Sequence, residues 1–146
     1  MTVTPRHEEL LECLRIERWA EDLSGQSYGT MLELERTAVA AATPLTTAEI
    51  DEALAAHPPI GEQAADGGAD DAGLARRMAA GAVAYQERFG RVFVINAAGR
   101  ASEEIVAELE RRLTHDDVAE LAETADQLRG IALVRLRAAY KEQFDQ

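Results

Sequence analysis

The residue best placed to do chemistry in this chain is His57, followed by Pro58, Pro59, Ile60 and Gly61 and then by Glu62 and Gln63. An imidazole changes charge near neutral pH, and a nearby carboxylate can orient it, so His57 with Glu62 reads as a proton-transfer pair. Gln63 adds an amide that can hold polar groups of a ligand. The apolar pattern before His57 is helical and prolines cannot continue it, so the helix is expected to end at His57. The last helical carbonyls favour the protonated ring there, and the prolines stiffen the backbone beyond it. A histidine that simply caps a helix C-terminus explains the same spacing, and a solvated loop pair explains Glu62-Gln63. His7 and His115 stand among charged residues and read as surface histidines.

A second candidate is Arg91-Val92-Phe93-Val94-Ile95-Asn96-Ala97, the only β-like run in the sequence. A lone strand has nothing to pair with, so an extended connector packed between helices is expected. Its backbone donors and acceptors then need other partners, and a planar, hydrogen-bond-rich ligand is one. Arg88, Arg91 and Arg100 around it suit a carboxylate. A buried connector without a ligand is the competing explanation. Other chemistries lack their residues. There is no HExxH, CxxC, Walker loop, GxGxxG or GxSxG. The scattered histidines offer no metal-ligand spacing, and neither metal nor cofactor is expected. Cys13 stands alone on an apolar helical face and reads as a buried structural thiol.

The elements that must hold these residues are helical. One helix is expected from about Pro5 to Leu23, with Leu10, Leu11, Leu14, Trp19 and Leu23 inward. A second runs from Thr30 to Ala42, with Met31, Leu32, Leu34 and Ala38 inward, and Thr43-Pro44 stops it. Thr46 to Glu49 has the capping-box spacing and opens the helix that leads to His57. Residues 61–73 are rich in Gly, Ala and Asp without apolar period, which suggests a mobile acidic loop. A helix over 74–89 carries Leu74, Met78, Ala82 and Tyr85, and Gly90 ends it. Ser102 is expected to cap the next helix, with Ile105, Val106, Leu109 and Leu113 inward. Thr114 or Asp116 opens the last, whose stripe is Val118, Leu121, Ala125, Leu128, Ala132 and Leu136. The expected fold is all-α, a single-domain bundle of six to eight helices over residues 1–146 with one extended connector.

Composition narrows the function classes. Apolar residues are 47% and charged residues 29% of 146, which is ordinary for one globular domain. Aromatics are only 5%, which favours helix over sheet. A formal charge of −12 disfavours nucleic acid and anionic lipid as partners. No apolar run reaches bilayer length and no signal peptide is evident, so a cytoplasmic location is expected.

Three motifs in order then point to a family. His57-Pro58-Pro59-Ile60-Gly61-Glu62 resembles the "HPRIGE" motif of the 2-oxo-4-hydroxy-4-carboxy-5-ureidoimidazoline (OHCU) decarboxylases. Ala84-Tyr85-Gln86-Glu87-Arg88-Phe89-Gly90 resembles their "AYxERFG", and Phe93 to Arg100 is similar to "FVICATGR". Trp19-Ala20-Glu21 and Leu133 to Leu136 are weaker echoes. The resemblance implies an all-helical, cofactor-free homodimer that forms (S)-allantoin and CO2 during urate breakdown. It also implies His57 as proton donor; Glu62, in the only Glu-Gln pair nearby, would stand in for the glutamate that partners the histidine in the family. Pro58, Gln63, Phe93, Val94, Ile95, Asn96 and Ala97 would hold the heterocyclic acid. The family's Ser-x-x-Glu-Gln motif is missing, and its loop is shortened here. The alternative is a silent or substrate-altered paralogue that serves as a small-molecule binding or partner protein.

Overall fold

The computed structural model describes residues 2–56 and 72–145. They form seven helices: α1 (His7–Cys13), α2 (Glu17–Leu23), α3 (Met31–Ala41), α4 (Thr47–Leu54), α5 (Ala72–Phe89), α6 (Ser102–Arg112) and α7 (Asp117–Phe144). Among the described residues there is no sheet, only an isolated antiparallel bridge between Val3 and Tyr28. The all-α expectation holds. The chain divides into two compact units, residues 1–53 with 125–146, and residues 54–124.

The first unit corrects the single N-terminal helix. Leu14 and Ile16 adopt extended backbone and separate α1 from α2. The reason is visible in the apolar positions. At 100° per residue, Leu10, Cys13 and Leu14 form one stripe, and Ile16, Trp19, Ala20 and Leu23 form another roughly 130° around the axis. A continuous helix would bury one stripe and expose the other. The extended step buries both, with Leu14 and Ile16 each inside and Arg15 between them exposed.

Helix α3 starts as expected, with the Thr30 hydroxyl accepting from the Glu33 amide at 3.1 Å. Leu34 and Ala38 are buried, but Leu32 is largely exposed. The Ala38 carbonyl, besides its place in the helix, accepts the Trp19 indole N–H at 3.0 Å. At α4 the capping box is complete: Thr46 Oγ1 accepts from the Glu49 amide, and Glu49 accepts from the Thr46 amide. This helix ends at Leu54, three residues short of His57. Cys13 is buried, and burial pushes its thiol up to about 11, which suits the structural reading.

In the second unit α5 and α6 pack through Met78, Tyr85, Val106 and Leu109, joined by Phe93 and Ile95 from the connector. Gly81 allows the close approach, because a Cβ there would lie 2.6 Å from Leu109 Cδ2. Helix α5 begins at Ala72, inside the segment expected to be loop, and Gly90 follows it at φ +70. Ser102 does not cap α6. It is the first helical residue, preceded by Ala101. Asp116 does cap α7, accepting from the Ala119 amide at 2.7 Å. Along α7, Ala125, Leu128, Ala132 and Leu136 are buried as expected, whereas Val118 is 81% exposed. None of the described helices is long and apolar enough to cross a membrane.

Candidate active site

Between α5 and α6, residues 92–97 have neither helical nor strand structure, and the run makes no strand pairing among the described residues. Phe93, Val94 and Ile95 are buried, Asn96 is half-buried and Ala97 is exposed. The run therefore enters the core by its apolar residues and reaches the surface at its C-terminal end. Phe93 lies edge-on to Tyr85, with centroids 5.3 Å apart. Asn96 Oδ1 accepts from the Ala98 amide at 3.5 Å, and Ala97 accepts from the Arg100 amide at 3.1 Å. These two bonds turn the chain into α6. No hydrogen bond within the described residues uses the N–H of Phe93, Val94 or Ile95. That leaves three donors on a packed segment, the condition a polar ligand requires.

Sequence reasoning missed what stands behind the run. Arg112 in the last turn of α6 is fully buried, and its guanidinium spends its donors in several directions. Nε and Nη2 reach Glu120 at 2.9 and 2.5 Å, Nη2 also reaches Thr124 Oγ1 at 3.1 Å, and Nη1 donates to the Val94 carbonyl at 2.7 Å. The cation also stands 4.6 Å from the Phe93 ring centroid. Glu120 further accepts from the Tyr85 hydroxyl at 2.5 Å. Burial, helped by that bond to a carboxylate, pushes the Tyr85 phenol up to about 12.

His115 belongs to the same group rather than to the open surface. Its Nδ1 is 3.2 Å from Glu120 and its Nε2 is 3.1 Å from Arg111. A guanidinium has only donors, so Nε2 accepts and the ring proton lies on Nδ1, facing the carboxylate. Arg111 also holds Glu108 and Glu123, both at 2.6 Å, and its bond holds Glu108 below the usual carboxylate range. Of the arginines expected around the run, Arg88 donates to the His115 carbonyl at 2.5 Å. A signal for Arg112 was present in its position three residues after Leu109 and one before Leu113, where the inward stripe of α6 passes.

The remaining expected site residues, His57, Pro58, Glu62 and Gln63, lie outside the described residues, as does most of the expected loop. Away from the run, His7, Glu17 and Glu21 offer ligand atoms within 4.8 Å of one another, a grouping the sequence spacing did not reveal. His7 Nε2 is engaged with Glu17 at 2.9 Å and both carboxylates are exposed.

The OHCU decarboxylase family model matches residues 1–137. The chain belongs to the OHCU decarboxylase family. Two solved structures share the fold of this OHCU decarboxylase family member. A crystal structure of OHCU decarboxylase in the presence of (S)-allantoin is 24% identical, with a TM-score of 0.82 over 94% of this chain and 99% of that one. A crystal structure of (S)-allantoin synthase is 19% identical, with a TM-score of 0.71 over 90% of this chain and 48% of that one. No curated protein sequence matches the chain. For a member of this family, the buried Arg112 group explains how a segment with no strand neighbour among the described residues is held in place.

Proposed function

We propose that this chain is a cofactor-free decarboxylase that converts 2-oxo-4-hydroxy-4-carboxy-5-ureidoimidazoline to (S)-allantoin and CO2 in urate breakdown. The family match across residues 1–137 carries the reading. The three amides of Phe93 to Ile95 with no partner within the described residues support it from the chemistry.

The reaction asks little of a protein. The bond between the hydroxyl-bearing ring carbon and its carboxylate breaks, CO2 leaves, and the electron pair moves toward the adjacent imine, giving an enol. A proton is then added from one face to the neighbouring ureido-bearing carbon, while the hydroxyl on the decarboxylated carbon gives up its proton and becomes the ring carbonyl of allantoin. The protein must turn the carboxylate out of the ring plane, stabilise the developing charge and supply the proton stereospecifically. In this reading His57 gives the proton, and Glu62 orients its ring. Pro58, Gln63 and the run from Phe93 through Val94, Ile95 and Asn96 to Ala97 hold the heterocycle. The whole chain serves as one catalytic domain, working as a homodimer in the cytoplasm.

The test generates the unstable substrate in place, using urate oxidase and hydroxyisourate hydrolase, and follows optical rotation as allantoin forms. Adding this protein should accelerate the appearance of optically active product. His57→Ala should lower kcat by about 100-fold or more while the circular dichroism spectrum stays helical. An unchanged rate in that variant removes His57 from the mechanism. No acceleration by the unmodified chain removes the decarboxylase reading itself.

A further inference from the structure

We propose that Arg112 is a positioning residue for the substrate-holding run, acting through the Val94 carbonyl to aim and polarise the Ile95 N–H. The proposal rests on the decarboxylase reading above and adds to it a residue outside the binding run.

Arg112 does more than neutralise a buried charge. Glu120 alone balances the guanidinium, with both carboxylate oxygens in contact with Nε. Yet Nη1 turns the other way, to an uncharged backbone acceptor in a segment without regular structure. Within the described residues this is the only backbone hydrogen bond made by Phe93, Val94 or Ile95. The run is otherwise held by side-chain packing and by the guanidinium over Phe93. Packing fixes where a segment lies better than it fixes how its peptide planes are turned.

The peptide plane transmits the effect. The carbonyl of Val94 and the N–H of Ile95 belong to one planar trans peptide and point in opposite directions. Holding the oxygen towards Arg112 therefore sends the Ile95 proton to the far side of the run. A charged donor on the carbonyl also polarises the amide and strengthens the N–H as a donor. Glu120, Thr124 and the Tyr85 ring fix the guanidinium in turn, at 2.9 Å, 3.1 Å and 5.9 Å. Arg112 thus sets a donor that it does not itself present to substrate.

Lysine cannot reproduce this. Its single ammonium lacks the planar fork that serves Glu120 and Val94 from opposite edges. The experiment compares the full chain, Arg112→Lys and Leu34→Ala, the last removing buried contacts in the other unit. Two readouts are taken: steady-state kinetics, and hydrogen exchange of the Ile95 amide. In Arg112→Lys, KM should rise about tenfold with kcat within about twofold, the pattern of a lost binding contact. Exchange at Ile95 should quicken by at least about tenfold as that amide loosens. Leu34→Ala should lower the melting temperature and leave both readouts alone.

A folded Arg112→Lys with unaltered KM and unaltered Ile95 exchange overturns the proposal. If Arg112→Lys does not fold, Glu120→Gln is read by the same two observables, since it keeps the volume and weakens the anchor of Arg112. Unaltered values there overturn the proposal equally. If the unmodified chain turns over no substrate, the decarboxylase reading fails alone, and the Ile95 exchange still decides the role of Arg112.

Discussion

The two compact units bury different chemistry. In the first unit the large fully buried side chains are Leu10, Leu14, Ile16, Trp19, Leu23, Leu34, Ile50, Leu128, Leu136 and Tyr140; the indole N–H donates to a backbone carbonyl and the Tyr140 hydroxyl to Glu9, and no charged side chain is buried among them. In the second, Arg112, Glu120 and Thr124 are buried among Tyr85, Phe93 and Leu109. An apolar core gains free energy wherever its side chains fit. A buried ion pair, by contrast, gives back in desolvation much of what its attraction contributes. Such a pair makes physical sense where it holds something an apolar group cannot hold. Here that is the backbone carbonyl of a segment with no strand neighbour.

The largest expected break in this contrast is Glu120→Ala. It leaves the guanidinium buried without its counter-ion and should cost about 3–5 kcal/mol in urea unfolding. The double change Arg112→Met with Glu120→Leu should cost less than Glu120→Ala alone, because no unpaired charge remains. Leu34→Ala supplies the apolar counterpart, at about 3 kcal/mol, with no partner substitution able to relieve it. If the double change costs as much as the two single changes summed, the ion pair is not the organising feature of its unit.

A smaller effect is expected in alkali. Tyr85 in the folded chain has its phenol raised to about 12 from the ordinary value of 10, first by burial and then by its bond to Glu120. Its folded value lies above its unfolded one. The stability this contributes is therefore complete below about pH 10 and is lost as pH rises through about 12. Tyr140 in the first unit is raised by burial and by Glu9, with the same sign. Tyr85→Phe should accordingly lessen the alkaline loss of stability without abolishing it. Urea unfolding across that pH range is the measurement, and an identical slope in the variant would sink the assignment.

The smallest change should come from the surface. Arg137 pairs with Glu35 at 2.8 Å, but its side chain is 64% exposed. Water and salt screen such a pair, so Arg137→Ala should alter stability by no more than about 0.5 kcal/mol. A loss approaching that of Glu120→Ala would erase the distinction between the exposed and the buried ion pairs.

Much of the helical plan was legible from local signals. Thr46 with Glu49 announced a helix start, because a cap bonds residues three positions apart and needs nothing distant. The non-helical run between α5 and α6 was legible from its β-branched composition in a chain otherwise suited to helix. Arg112 was not. An arginine beside inward leucines looks like one that snorkels to solvent, unless Glu120 and Val94 are known to be near. Likewise Val118 fits the apolar period of α7, and its exposure depends on which elements cover that turn.

What the residue order by itself determined, then, is what short-range physics controls. It specified the all-helical character, most starts and stops, the missing strand partner, and motifs sufficient to point to one family. Only the tertiary structure decided that α1 and α2 are separate, that His115 and Tyr85 meet one carboxylate, and that a fully buried cation grips the connector. Those outcomes depend on groups as many as 35 residues apart, as Tyr85 and Glu120 are. The balance between their desolvation and their attraction exists only once packing has excluded water from between them.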